Sequence, residues 1–384
     1  MKTYKRWFHT TIFLILLLIA GIMLFNYIID PHNIFKTKTY SRFNVKKIEL
    51  NEYLQQARAI VHQKPEVIFL GSSRVRIGLD PQYYELLTGE PAYNAGLSSS
   101  TPSIQLNYLK YALKNNPNVK TVVLGLDFAA FKENTKRHVH YDEERLQTKW
   151  YTFDDWTQQT LSISATKASL KVMYDNWFTT IKYTTDNYAL DGRQKEEALL
   201  PIREQLLGNG ENFYYVHLQS YIGEDGFYRN YKLSDEQMDD FKKIIALCKE
   251  NEIELFLFIN PAHAMQWEAI QLAGIWDEFE QWKQELVSLA PIWDFSGFHA
   301  VSITPPDRFD DYIDQSHYRK HIGNYIFQRM LHKNEEQVPL DFGVQLSEYN
   351  INEHLAVIRD QKANWEADNS DIIHRMQEMY PMEQ

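Results

Sequence analysis

The run Thr11–Ile29, TIFLILLLIAGIMLFNYII, restricts this chain more than any other feature. It carries no charge and one amide, Asn26. In hydrocarbon every backbone N–H and C=O needs an internal partner, and a single segment achieves that only as a helix. At about 1.5 Å per residue, a run of this length nearly crosses a hydrocarbon layer roughly 30 Å thick. A cleaved leader has a shorter apolar region and a small-x-small cleavage site. Here the run ends in Asn26-Tyr27-Ile28-Ile29-Asp30-Pro31, with no such site. The reading is an uncleaved single-pass anchor in the cytoplasmic membrane rather than a buried core helix. Lys2, Lys5 and Arg6 precede the run with no acidic residue among them. The positive-inside rule then keeps the N-terminus in the cytoplasm and puts the chain from about residue 30 onward outside, in a periplasmic or extracellular space.

Composition narrows the partners. The 384 residues suffice for one large domain or two smaller ones. The net charge is −11, and beyond the anchor 37 basic residues face 51 acidic ones. That balance argues against nucleic acid, because neutralising phosphates takes basic surface. The single cysteine, Cys248, excludes an intrachain disulfide framework and falls in a helical pattern as a small buried hydrophobe. Aromatic residues make up 14% of the chain. They fit an aromatic-rich core, or flat rings stacked on sugars; composition alone favours the core.

The pattern divides the chain into a tip and anchor (1–31), a stalk with a leading helix at 54–61 (32–65), a domain (66–332) and an acidic, helical tail (333–384). Within the domain, apolar runs at 66–70, 92–94, 121–125, 253–259 and 292–295 read as strands. Amphipathic segments at 103–113, 235–249, 265–289 and 320–331 read as helices, the second opened by a Ser234/Gln237 capping box. Strands alternating with helices imply an α/β fold, a parallel sheet with helices on both faces. Residues 132–233 break the rhythm and are too long for a connection. This segment, with Trp150, Tyr151, Trp156, Tyr174, Trp177, Tyr183 and Tyr188, reads as an inserted subdomain.

In such sheets ligands bind beyond the carboxyl ends of the strands. Five polar motifs fall there: Gly71-Ser72-Ser73-Arg74, Asn94-Ala95-Gly96, Gly125-Leu126-Asp127, Asn260-Pro261-Ala262-His263 and Asp314-Gln315-Ser316-His317. A serine hydroxyl needs a base and a carboxylate that orients the base before it becomes a nucleophile. The first and last motifs supply all three residue types.

On these motifs the chain resembles the SGNH (GDSL-like) hydrolase superfamily. It is most similar to a membrane-anchored branch that includes the alginate O-acetylation and teichoic acid D-alanyl transfer proteins. The resemblance covers roughly residues 60–132 and 234–332, and Tyr318 and Gly323-Asn324 also resemble that branch. It implies a flavodoxin-like sheet, with Ser73 as nucleophile, His317 as base and Asp314 as its orienting acid. The oxyanion would be held by the Ser73 and Gly96 N–H groups. Arg74, Asn94, Asp127, Asn260 and His263 are the candidate substrate-binding residues. The implied activity is transfer of an acyl group, with acetyl favoured, to a cell-surface or exported polysaccharide, without metal or cofactor. A multi-span membrane acyltransferase is the implied partner. An esterase or deacetylase, and a degenerate SGNH-like scaffold or binding component of a surface-polymer assembly, are the alternatives.

Two departures from the pattern stand out. Ser72 replaces the first block's aspartate, as in the polymer-acylating branch. Asp127 stands where the superfamily has an asparagine that donates to the oxyanion, and an ionised carboxylate cannot donate. Blander readings accompany several residues: Ser72 as a turn former, His263 as a satisfied loop histidine, Arg74 and Arg76 as partners of local acids, and His138 with His140 as a solvated turn lacking a third metal ligand.

Overall fold

The computed structural model describes residues 2–32, 34–35, 37–45, 47, 52–135, 138, 141–147, 153–178, 189, 191–200, 210–306 and 310–380. The chain forms two compact units, residues 1–58 with 142–187, and residues 59–141 with 188–384.

The first unit is built on the helix Lys2–Ile29. Its stretch Tyr4–Ile29 is long and apolar enough to cross a membrane and fits a single-pass anchor or signal sequence. Helices Phe153–Leu161 and Ile163–Phe178 pack against it. Asn26, the one amide in the apolar run, is buried there and donates to the Thr160 carbonyl at 2.7 Å and to Thr166 Oγ1 at 3.0 Å. Where the helix ends, the buried Asp30 carboxylate accepts from the N–H groups of Ile34 (2.7 Å), Phe35 and Thr37 (each 3.2 Å) and from Lys47 Nζ (3.1 Å). The beginning of the expected stalk is thus tied back on the helix end by one carboxylate.

The second unit holds a six-stranded sheet in the order β2-β1-β3-β4-β5-β6. The strands are β1 (Val67–Leu70), β2 (Ala92–Asn94), β3 (Thr121–Leu126), β4 (Glu254–Ile259), β5 (Ile292–Asp294) and β6 (Val344–Leu346). β1 to β5 are parallel, and β6 joins β5 antiparallel. β1 and β3 are buried at every residue, as strands covered on both faces must be. The strand order reverses at β1, so right-handed crossovers send helices to opposite faces. On one face Lys320–Met330 packs on Ser73–Gly78 and Pro81–Thr88; on the other Pro102–Asn115 packs on Asp235–Glu250.

Four details differ from the sequence reading. The acidic tail is not only helical: it supplies edge strand β6, whose Leu346 joins Val287, Ile351 and Leu355 in a buried cluster. The helix expected over 265–289 breaks at Gly274, which takes φ +70°, into Ala264–Leu272 and Trp276–Leu289. Ser234 accepts from the Gln237 N–H as a capping box requires, but Gln237 Oε1 accepts from the Ser103 N–H on the neighbouring helix instead of returning to Ser234. Residues 132–233 do not form one subdomain, because 142–187 belong to the first unit and 188–233 to the sheet unit. Within that segment Trp150, Tyr151, Tyr183 and Tyr188 lie outside the described residues. Cys248 is buried, and burial pushes its thiol up to about 12.

Candidate active site

The turn after β1 leaves no room for a side chain at Gly71. Its φ is +150°, and a Cβ there would stand 2.4 Å from Val75 Cγ2 and 3.0 Å from the Gly125 carbonyl oxygen. Ser72 caps the helix that follows, its hydroxyl accepting from the Arg74 N–H at 3.2 Å. Ser72 is therefore the turn former, and Ser73 is the half-buried first residue of helix Ser73–Gly78.

Ser73 Oγ lies 2.7 Å from His317 Nε2, across 244 positions of chain. His317 Nδ1 lies 2.8 Å from both carboxylate oxygens of Asp314. Asp314 is fully buried, and its Oδ1 also accepts from the N–H groups of Ser316 (2.8 Å) and His317 (2.9 Å). Such a carboxylate holds the Nδ1 proton, which leaves Nε2 as the acceptor facing the serine hydroxyl. The order is hydroxyl, imidazole, carboxylate, the arrangement that general-base activation of a serine requires.

A small cleft with about 60 Å³ of free space opens beside Ser73, lined among others by Ser72, Arg74, Ser100, Asp127 and Tyr221. Arg74 and Asp127 form a buried ion pair at 2.7 Å. Burial alone would lower the Arg74 pKa, but Asp127, Tyr221 and Tyr228 outweigh it and the net shift is upward. Asp127 also accepts from Asn260 Nδ2 at 3.2 Å. It is thus a neutralised structural carboxylate rather than a bare charge in the cleft. Arg74 Nε donates to Ser316 Oγ at 3.1 Å, and Tyr221 OH lies 2.7 Å from the same oxygen. The first and last motifs are therefore joined twice, by the serine–histidine contact and by this second bridge.

The other expected ligand-binding residues serve the scaffold. Asn94 is fully buried and donates to the carbonyls of Val75 and Leu79, each at 2.8 Å, so its amide is spent on the Ser73–Gly78 helix end. Its Oδ1 accepts from the Gly96 N–H at 3.0 Å, so the N–H assigned to the oxyanion already has an acceptor. The glycine itself is required by close approach, since a Cβ would meet the Arg76 backbone nitrogen at 2.6 Å. Asn260 is fully buried and accepts from Tyr318 OH at 2.9 Å. His263 is buried, accepts from the Met265 N–H at 3.2 Å as a helix cap, and contacts the Thr304 carbonyl at 2.7 Å through Nε2. Burial, opposed by that carbonyl and by Asp311, pushes His263 down to about 4, which removes it as a rival base near neutral pH.

One residue beside the triad was missed. His217 Nδ1 stands 3.7 Å from Asp314 Oδ1 and 3.0 Å from Gln315 Nε2. It lies on helix Gly210–Ile222, where Tyr214, His217 and Tyr221 share one face against residues 312–317; Tyr214 OH donates to the Tyr312 carbonyl at 3.2 Å. The i, i+3, i+7 spacing of polar-tipped rings was the available signal.

Among the described residues, ligand atoms of His217, Asp314 and His317 lie within 4.8 Å of one another, close enough to be considered for a metal. Ligand atoms around one zinc stand about 3.3 Å apart, given bonds of roughly 2.0 Å in a tetrahedron. The 2.8 Å His317–Asp314 separation is a hydrogen bond and is too short for two ligands of one ion. His138 accepts from the Tyr141 N–H in a turn, and His140 lies outside the described residues. No protein-family model matches the chain, and a search of curated proteins finds no match.

Proposed function

We propose that the chain is an SGNH-like serine acyltransferase, held at the membrane by its N-terminal helix and acting outside the cytoplasm on a polysaccharide, with acetyl as the favoured acyl group. The observation that carries this reading is the Ser73–His317–Asp314 hydrogen-bonded series at the carboxyl end of β1. In the proposed reaction Ser73 Oγ attacks an ester carbonyl while its proton passes to His317 Nε2. Asp314 stabilises the resulting imidazolium. The leaving alcohol takes that proton, and an acyl-Ser73 remains. A sugar hydroxyl then loses its proton to His317 and attacks the acyl carbon, and His317 returns that proton to Ser73 Oγ as the acyl–serine bond breaks. Water in place of the sugar makes the same site an esterase or deacetylase. A multi-span acyltransferase that delivers the acyl group belongs to the proposal through the resemblance alone.

A specific observation favours a second reading, a catalytically weak scaffold within a polymer-assembly machine. Of the oxyanion donors, Asp127 cannot donate and the Gly96 N–H is engaged by Asn94, which leaves the Ser73 N–H at the start of its helix. Each missing donor typically costs about 3–4 kcal/mol of barrier. The separating experiment gives the full-length protein an aryl acetate with and without an oligosaccharide. Acetylated glycan supports transfer, and acetate alone supports an esterase. Equal product from wild type and Ser73→Ala supports the scaffold.

A further inference from the structure

The geometry points to a second membrane contact: the helices Phe153–Leu161 and Ile163–Phe178 form a hairpin that buries an apolar stripe among the lipids around the anchor. The anchor's own burial pattern sets its level. Ile12–Leu18 are exposed, whereas Ile19, Ile22, Met23, Asn26 and Ile29 are covered on the side where these helices pack. The covered stretch rises about 15 Å, roughly half of a hydrocarbon layer about 30 Å thick. If the helix spans the bilayer, whatever covers that stretch sits at the depth of one leaflet. The pin is specific, because the buried Asn26 amide bonds to Thr160 and Thr166 on either side of the hairpin turn. A removable leader has no need of such a partner, so the same contact argues for a retained anchor.

The hairpin's outer face has the chemistry for that position. On Ile163–Phe178, Ala165, Ser169 and Val172 are buried. Ile163, Leu170, Tyr174, Trp177 and Phe178 are 77%, 56%, 61%, 52% and 72% exposed. At 100° per residue these five fall in one sector, opposite the buried side. A helix apolar on two opposite sides is poorly suited to water on the second. The exposed Lys167 projects from within this sector and Lys171 borders it, paired to Asp175 at 2.7 Å. Long cationic stems reaching from an apolar surface to the headgroups, with tyrosine and tryptophan beside them, suit an interfacial helix. Phospholipid is the assigned occupant because the stripe-bearing helix belongs to the anchor's unit and lies by the anchor's outer end: Thr166 bonds Asn26, and Trp177 meets Phe43, whose neighbour Asn44 donates to the Ile28 carbonyl.

The test reconstitutes the full chain in phospholipid vesicles free of other proteins. Spin labels are placed at Leu170→Cys and Tyr174→Cys in a Cys248→Ala background, with Lys242→Cys on the charged helix Asp235–Glu250 as the aqueous reference. Relaxation by oxygen exceeding that by a water-soluble nickel chelate at 170 and 174, with the reverse at 242, is the expected result. Stronger relaxation by the nickel chelate at 170 and 174 overturns the proposal by placing the stripe in water. Access by neither reagent overturns it in favour of a protein cover, such as a second copy. Should labelled variants fail to fold, brominated-lipid quenching of the unmodified chain serves instead, and a quenching loss in Trp177→Phe is expected. Equal quenching of both proteins contradicts the assignment.

Discussion

Among the described residues of the sheet unit, two clusters contain serine, histidine and aspartate within hydrogen-bonding reach, and one of them puts the imidazole between the other two. After β1, the imidazole of His317 stands between the Ser73 hydroxyl and the Asp314 carboxylate, and Ser73 faces a cleft. After β5, the carboxylate is in the middle. Asp294 accepts from Ser296 Oγ at 2.6 Å, Lys283 Nζ at 2.8 Å and His354 Nε2 at 2.9 Å. There the serine also accepts from Lys283 at 2.7 Å, and Lys283 and Asp294 are fully buried. Burial alone would raise the Asp294 pKa, but Lys283 and His354 outweigh it, and the carboxyl falls below its usual range. Burial lowers the Lys283 ammonium, with Asp294 and Glu280 opposing. This second cluster ties helix Trp276–Leu289 and the C-terminal helix Ile351–Asp368 to the sheet. The lesson is one of order and access: the same residue types stand in the order that general-base activation needs in one set of contacts and form a cross-link in another.

The largest effect separates the two serines. Ser73→Ala should lower kcat by about 10³–10⁶-fold with a nearly unchanged denaturation midpoint, since triad members act as a unit. Ser296→Ala should leave turnover intact and cost about 1–3 kcal/mol of stability by depriving buried groups of a partner. Swapped outcomes, read by ester turnover and urea melts on the same preparations, would reverse the comparison. Next, Asp314→Asn should slow kcat by about 10⁴-fold, because the amide favours the wrong imidazole tautomer. Lys283→Met should instead unfold the protein more easily, by about 3–5 kcal/mol, leaving a buried carboxylate uncompensated. A urea midpoint equal to wild type would show that the β5 cluster is not a cross-link.

A smaller effect sharpens the role of the C-terminal helix. Glu268, buried on helix Ala264–Leu272, is pushed up to about 8, first by burial and then by Glu366, with Lys362 opposing. Its folded value lies above the ordinary 4.5. The folded state therefore binds the extra proton, and this contribution is complete below pH about 4.5 and lost as pH rises to about 8. Thermal midpoints should fall across that window and flatten there in Glu268→Gln; an unchanged slope would exclude this carboxyl as the cause. The smallest effect is a control at a residue that belongs to neither cluster. Asp80 caps helix Pro81–Thr88 by accepting from the Gln82 N–H at 3.1 Å. Asp80→Ala should cost about 1 kcal/mol and spare turnover.

The sheet was legible because its strands announce themselves chemically. β1 is an unbroken apolar run closed by a Gly-containing turn, β3 is apolar but for Thr121 and Gly125, and their positions differ from the sequence reading by one residue at most. β6 was hidden because a three-residue edge strand with two exposed side chains carries no pattern. The Ser73, His317 and Asp314 positions were readable because motif order at a sheet edge limits where such side chains can meet. The roles of Asn94 and Asn260 were not, because a polar residue at a strand end looks the same whether it faces a ligand or a neighbouring carbonyl, whereas the contacts of His263 fit its reading as a satisfied loop histidine. His217 escaped because its neighbours become neighbours only when a helix from the middle of the chain crosses the 312–317 loop.

The most direct measurement is the site of covalent capture by a fluorophosphonate, read by mass spectrometry of peptides from the full-length protein. The account expects the adduct on Ser73 in wild type and its loss in His317→Ala, with Ser72 and Ser296 unmodified in both. Failure to modify Ser73, or an adduct that survives removal of the imidazole, would contradict it.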